Sequence, residues 1–353
     1  LGRARGAPGV QFSKSFFGSF FSKKEPLTFQ SQGAVEVTEN RIFAAKLRLM
    51  RHERFRNLLA RAMAGAPLVT AVAHPCDEMS LRGAVEAAQA GLITPILVGP
   101  VERIKWFALA CGLDITGMRI EETAHSHASA ARAVALVRAG EAKMLMKGSL
   151  HTDEFLHEVM AAETGLRTGR RLSHVYVMDV PGYPRPIFLT DAAVNVTPSL
   201  EDKRWIVQNA IDLARALGVA APRVAILAAV ETVNPAMRAT IDAAALCKMA
   251  ERGQITGGVL DGPLAYDNAV SPEAAAEKKI VSAVAGLADI LVVPDLEAGN
   301  MLAKQLTFMA GADAAGVVVG ASVPIILTSR ADDVRTRLAS CAVAAIYAAH
   351  GDE

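Results

Sequence analysis

Ten short runs of apolar and β-branched residues, separated mostly by Ala-rich amphipathic stretches, restrict what this chain can fold into more than any other feature. The runs lie at 68–73, 95–98, 143–146, 175–180, 187–190, 223–227, 255–260, 289–293, 316–319 and 325–327. Each is too short for a helix of ordinary length and carries residue types that suit a pleated surface. Helical periodicity is predicted over 81–90, 128–138, 203–217, 237–251 and 273–284. An earlier stretch at 41–62 sets Ile42, Ala45, Leu49, Phe55, Leu58 and Leu59 on one face. Strands that alternate with helices predict an α/β fold with mainly parallel sheets. The runs at 175–180 and 187–190 are joined through Pro181-Gly182-Tyr183-Pro184, too little chain for a crossover helix, and read as a hairpin.

At 353 residues the chain is long enough for about two domains and for burial of roughly three quarters of the unfolded surface. A net charge of +1 provides no field that would gather a polyanion, which argues against nucleic acid or an anionic membrane as partner. No run reaches the ~18 consecutive apolar residues of a membrane span, and a soluble, cytoplasmic protein is expected. Cys76, Cys111, Cys247 and Cys341 are widely spaced without a CxxC pair, as reduced cytosolic thiols are. Residues 1–40 differ in kind, with Phe12, Phe16, Phe17, Phe20, Phe21 and Phe29 set among Ser and Lys. Their apolar stretches are too broken for a signal peptide. A poorly ordered extension is expected there, with a basic segment lying on a membrane surface as the alternative.

The last apolar run ends abruptly, Pro324-Ile325-Ile326-Leu327 giving way to Thr328-Ser329-Arg330-Ala331-Asp332-Asp333. In open α/β sheets ligands sit beyond the carboxyl ends of the strands, so Ser329 and Arg330 fall where a ligand lies. The guanidinium fork there suits an anionic, phosphate-like group. The same segment reads equally as an N-cap and a first-turn carboxylate that start the next helix. A second strand end, after Val293, carries Pro294-Asp295-Leu296-Glu297-Ala298-Gly299-Asn300 before a helical 301–308, and Asn300 offers an amide hydrogen bond. A third, after Met146, carries Lys147-Gly148-Ser149 and Thr152. A cation, a flexible backbone and two hydroxyls where a helix begins favour an anion, while an ordinary turn with a solvated lysine is the competing reading.

Several familiar chemistries lack their motifs: there is no GxxxxGK[ST], no GxGxxG after a strand and no GxSxG. His157-Glu158-Val159-Met160-Ala161 lacks the second histidine of a zincin, and His125 and His127 are two apart, so no metal site is expected.

Six blocks carry a resemblance to the phosphate acetyl/butyryltransferases: MLMKGSLHT (144–152), FLTDAAVNVTP (188–198), AAVETVNPAM (228–237), GGVLDGPLAYDNAVS (257–271), VAGLADILVVPDLEAGNMLAKQL (284–306) and VPIILTSRADD (323–333). The resemblance covers about 41–350. It is closest to the phosphotransacylase half of bifunctional enoyl-CoA hydratase/phosphate acetyltransferase proteins, and the 40 or so residues before it fall short of a ~100-residue hydratase domain. It implies two α/β domains around a cleft, an isocitrate/isopropylmalate dehydrogenase-like architecture. The first would comprise 41–146 plus 316–353 and the second 147–315, with 1–40 as an extension. It also implies reversible transfer of an acetyl or other short acyl group between coenzyme A and inorganic phosphate. A homodimer follows from the same likeness, as does the absence of any cofactor beyond the CoA substrate, with neither metal nor nicotinamide required.

For that reaction a thiol near pKa 8.5 benefits from a base, and the acyl phosphate from a fixed cation and neutral donors. Arg330 fits the cation and Ser329 the hydrogen bond to sulfur or carbonyl oxygen. Asp332 or Asp333 fits the base, while Lys147, Gly148, Ser149, Thr152 and Asn300 fit substrate binding. The acetyltransferase members place a base aspartate six residues after the arginine; this chain has Thr336 there. The adjacent Asp332 and Asp333 resemble the butyryl branch instead. Metal-dependent decarboxylating dehydrogenases and a non-catalytic acyl-CoA or acyl-phosphate binding module are the rival classes.

Overall fold

The computed structural model describes residues 53–327 and 333–351. The N-terminal extension and most of the stretch predicted helical at 41–62 lie outside them. In chain order the elements are α1 (Glu53–Met63), β1 (Leu68–Ala73), α2 (Glu78–Gln89), β2 (Ile93–Gly99), α3 (Val101–Ala110), β3 (Arg119–Glu122), α4 (Ser126–Arg138), β4 (Met144–Lys147), α5 (Thr152–Val159), β5 (Ser173–Asp179) and β6 (Ile187–Thr190). They continue with α6 (Leu200–Ala216), β7 (Arg223–Leu227), α7 (Arg238–Glu251), β8 (Val259–Leu264), α8 (Tyr266–Val270), α9 (Pro272–Glu277), β9 (Ile290–Val292), α10 (Leu296–Phe308), β10 (Asp313–Val319), β11 (Ile325–Ile326) and α11 (Val334–His350).

The strands form one sheet of eleven, ordered β3-β2-β1-β4-β11-β10-β5-β6-β9-β7-β8. β3, β2, β1, β4 and β11 are mutually parallel. So are β6, β9, β7 and β8. β10 and β5 lie between the two groups and run antiparallel to their neighbours. The predicted hairpin is β5–β6, with Val175 opposite Thr190 and Met178 opposite Ile187.

Three differences from the sequence reading have identifiable causes. β3 reads Arg-Ile-Glu-Glu, with no apolar run to signal it. It is an edge strand, and Glu121 is tied to Arg119 at 2.6 Å and to Arg132 at 2.8 Å. Charged residues suit such an edge because they discourage pairing with other chains. β8 begins at Val259, later than the predicted 255–260, and continues through Gly262-Pro263. That dipeptide reads as a turn in sequence, yet it fits here where the register with β7 shifts between Ala225 and Leu227. The helix predicted over 273–284 stops at Glu277, just before Lys279 takes φ +56°.

Alternation along the strands sends every second side chain to each face. On one face a single core runs from Val72, Leu97 and Met144 through Val175, Val317 and Phe188 to Val224 and Ile290. The other face carries two separate clusters. One gathers around Ala71, Leu145, Val318 and Ile325. The second gathers around Met178, Leu189, Ala225 and Leu291. On β5 the positions alternating with Val175 and Val177 are His174, Tyr176 and Met178, so His174 and Tyr176 stand between these two clusters. Their rings meet edge to face at 4.3 Å, and Gly316 lies against them, where a Cβ would come within 2.7 Å of His174 Nε2.

Candidate active site at the ends of β1 and β4

β1 and β4 are neighbours and parallel, so their carboxyl ends open on the same edge of the sheet. The last backbone bond of β1 is made by His74, whose amide donates to Val98 at 2.7 Å. His74 then turns into the left-handed region, φ +56°, immediately before Pro75. Such a conformation strains a side-chain-bearing residue and recurs where function holds it in place. The turn frees the His74 carbonyl to accept Cys76 N at 2.8 Å, Ser149 N at 2.8 Å and Ser149 Oγ at 3.0 Å.

The close approach of the two strand ends explains Gly148. Its amide donates to the Ala73 carbonyl at 2.8 Å. A Cβ at this position would lie 2.3 Å from Ala73 O and 2.5 Å from His74 O. Lys147 is buried rather than solvated, its ammonium donating to Gly148 O at 3.2 Å and Leu150 O at 3.1 Å. The reading of a solvated lysine in an ordinary turn therefore fails, because the loop folds over the side chain. Thr152 is the first residue of α5, and the preceding His151 makes no side-chain cap bond.

A second line of polar groups stands behind His74. Its Nδ1 lies 3.0 Å from Ser129 Oγ, which is 2.8 Å from Thr123 Oγ1 and donates to His125 O at 3.0 Å. Burial first, then the Arg103 guanidinium, hold the His74 imidazole below the usual histidine range, while Glu154 and Asp77 pull the other way. His74 is therefore neutral at pH 7. Sequence reasoning passes over it, and reads the nearby Cys76 only as one of four reduced thiols. That thiol is buried and pushed up to about 11 by desolvation, so it is no nucleophile at neutral pH. The signal that marks Ser329, a polar residue at the end of an apolar run, is equally present at His74.

Of the other sequence-predicted residues, Ser329, Arg330 and Asp332 lie outside the described residues. β11 is parallel to β4, with Ile326 opposite Met146, so the chain leaving β11 starts beside Lys147. Asp333 is the N-cap of α11, its carboxylate accepting Thr336 N at 2.8 Å. Asn300 is not gathered with the Lys147 group. It sits in α10 and donates to Ala192 O at 3.3 Å, on the loop after β6. That loop is organised by the buried Asp191, whose carboxylate accepts the amides of Ala193, Val194 and Asn195 at 3.0, 3.1 and 3.2 Å. Gly299 permits α10 to pack there, since a Cβ would stand 2.8 Å from Asp191 O.

Within the block at 257–271, Asp267 and Asn268 lie in the short helix α8. Buried Asn268 donates to Glu231, which also takes Lys278 Nζ at 2.6 Å. These contacts tie the blocks after β7 and β8 to each other. No group of three or more His, Cys, Asp and Glu side chains among the described residues is placed to hold a metal.

The chain is similar to known proteins over most of its length. The profile of the family described as "Phosphate acetyl/butaryl transferase" matches residues 126–345. A Rhizobium meliloti protein named phosphate acetyltransferase is 67% identical over 296 residues, 84% of this chain and 94% of that one. A Clostridium beijerinckii protein named phosphate butyryltransferase is 45% identical over 295 residues, 84% of this chain and 98% of that one. Among solved structures, a branched-chain phosphotransacylase from Enterococcus faecalis V583 superposes with TM-score 0.70 at 30% identity, covering 80% of this chain and 99% of its own.

Proposed function

Since the chain belongs to the phosphate acetyl/butyryltransferase family, we propose that it is a phosphate acetyltransferase, converting acetyl-CoA and phosphate reversibly into acetyl phosphate and CoA. The observation that carries this reading is the likeness to a named phosphate acetyltransferase across most of both chains. In the direction of CoA acylation, the thiol sulfur attacks the carbonyl carbon of acetyl phosphate, the C–O bond to phosphate breaks, and the thiol proton leaves with the phosphate. Both substrates bind together, and no acyl-enzyme forms.

In this reading Arg330 neutralises the phosphate and the charge that develops on the carbonyl oxygen, and Ser329 hydrogen-bonds the reacting group. Asp332 is the remaining acidic candidate for the base, because Asp333 is occupied as a helix cap. Thr152, at the start of α5, offers a hydroxyl to the anion, while Gly148 and Ser149, whose amides and hydroxyl donate to Ala73 O and His74 O, shape the turn beside it. Asn300, on α10, supports the site through its hydrogen bond to the loop after β6. We assign 41–146 plus 316–353 and 147–315 to two domains flanking the cleft that holds these groups. A homodimer in the cytoplasm, with neither metal, nicotinamide, nucleic acid nor membrane as partner, completes the proposal. No helix among the described residues is long and apolar enough to cross a membrane.

Thiol release from acetyl-CoA tests the activity. It should require phosphate and proceed equally with EDTA; release that ignores phosphate, or an absolute metal requirement, refutes the proposal. A butyryl preference is the second reading, favoured by the adjacent Asp332 and Asp333 and by the similarity to a named butyryltransferase. A kcat/KM at least about tenfold higher for butyryl-CoA, a difference of about 1.4 kcal/mol, selects it.

A further inference from the structure

We propose that His74 Nε2 is the proton acceptor for the attacking thiol, a role resting on the acyl-transfer reading above. All three contacts of Ser129 Oγ, with His125 O, Thr123 Oγ1 and His74 Nδ1, are hydrogen bonds in one arrangement of protons only, and that arrangement sets which ring nitrogen is available. Ser129 Oγ has one proton, and the His125 carbonyl at 3.0 Å can only accept. With that proton committed, His74 Nδ1 carries its own hydrogen and donates to Ser129 Oγ at 3.0 Å. The lone pair then belongs to Nε2, which makes no hydrogen bond among the described residues. An orienting group behind one ring nitrogen and, on the other, a lone pair with no partner among the described residues is the arrangement a general base requires.

Position and electrostatics agree with that role. His74 stands at the carboxyl end of β1, and its carbonyl is held by Ser149 of the proposed substrate loop at 2.8 and 3.0 Å. Its positive φ before Pro75 is a strained conformation, and the contacts to Ser149, Cys76 and Ser129 hold it there. The charged and titratable groups acting on the ring are Arg103 on α3, Glu154 on α5, Asp77 at the cap of α2 and His125 at the cap of α4. Burial and Arg103 keep the ring neutral at pH 7, so it can take up a proton. The proton moves from sulfur to Nε2 as the S–C bond forms, then to the departing phosphate oxygen as the C–O bond breaks. Charge and atoms balance, and the imidazole ends neutral. Asp333 caps α11 through the Thr336 amide, and His74 takes the place of Asp332 as the base.

The test measures acetyl-CoA formation from acetyl phosphate and CoA across pH 5.5–9 for wild type, His74→Asn, His74→Gly and Ser129→Ala. Asn and Gly both accept the left-handed backbone, so the turn is kept; loss of the buried imidazole and its bond to Ser129 lowers the melting temperature, more for Gly, and each variant is assayed well below its own. The expected result is a fall of about 10²-fold in kcat for both His74 variants, with KM for CoA nearly unchanged. The acid limb of the wild-type pH profile should also disappear. Ser129→Ala should keep the limb and lose less, as a positioning residue does. A folded His74→Asn or His74→Gly within about threefold of wild-type kcat, or with the acid limb intact, overturns the assignment. If wild type itself forms no acetyl-CoA, the functional reading fails; if wild type is active and the His74 variants match it, this inference alone fails.

Discussion

Ser149 Oγ donates to the carbonyl of His74 at 3.0 Å and accepts the Cys76 amide at 3.2 Å, so a single hydroxyl joins the turns that end β1 and β4. Removing it breaks that link, while the Cys76 amide and the His74 carbonyl keep each other as partners at 2.8 Å. Ser149→Ala is expected to destabilise the protein by about 1 kcal/mol and to lower kcat, because both turns belong to the proposed site. Thermal melting and steady-state kinetics check the two effects separately. Ser149→Thr, which keeps the hydroxyl, should recover most of the stability.

Gly148 makes a sharper case. A Cβ here would stand 2.3 Å from Ala73 O, far below any real contact, and the atoms it would meet are backbone atoms at the end of a central strand. Gly148→Ala must therefore push β4 away from β1 or break the Gly148–Ala73 hydrogen bond. A loss of several kcal/mol, at the severe end for single substitutions, is expected in chemical denaturation. A Gly148→Ala protein as stable as wild type would mean that the loop is free to move aside.

The legible part of this fold is the part written in apolar runs. Runs such as 68–73, 187–190 and 223–227 coincide with β1, β6 and β7, because buried parallel strands must be short and apolar. β3 escapes because its stability rests on ion pairs at an edge, and β8 is misplaced because Gly262-Pro263 signals a turn except beside a register shift. At the strand ends, sequence logic singles out Lys147, Gly148 and Ser149, which the fold brings together on one turn. It passes over His74, whose contact with Ser129, 55 residues away, no local pattern reveals. Asn300 shows the converse: its motif is recognisable, but only the fold reveals that it serves the loop after β6.

His174 predicts a pH dependence of stability. It is fully buried on the sheet, and desolvation lowers its pKa to about 4 from the usual 6.5. The folded protein holds the neutral ring, while the unfolded chain binds a proton below pH 6.5. Stability from this group is complete above the unfolded value and falls as pH drops from there toward about 4, by a few kcal/mol in all. Denaturant titrations at pH 7.5 and 5 should differ accordingly, and His174→Gln should reduce that difference. An unchanged pH slope in a folded His174→Gln would remove His174 as its source.

Asp333 caps α11 through the Thr336 amide, so Asp333→Ala should cost about 1 kcal/mol and lower the melting temperature, with Asp333→Asn milder. Activity should follow stability rather than show its own pH effect. A drop in kcat at unchanged melting temperature would restore Asp333 as a candidate base and weaken the case for His74.

Arg330 separates chemistry from helix initiation most cleanly. If its guanidinium neutralises phosphate and the charge developing in the transition state, Arg330→Ala loses both charge and geometry, and about 10²-fold or more in kcat is expected. Arg330→Lys keeps the charge without the two parallel donors, and should lie between alanine and wild type. KM for phosphate should rise in both variants, since the ground-state anion shares the contact. If Arg330 serves the substrate and not the packing, melting temperatures should stay within a few degrees of wild type. Near-wild-type kcat and phosphate KM in Arg330→Ala would show that the segment after β11 begins a helix and does no chemistry.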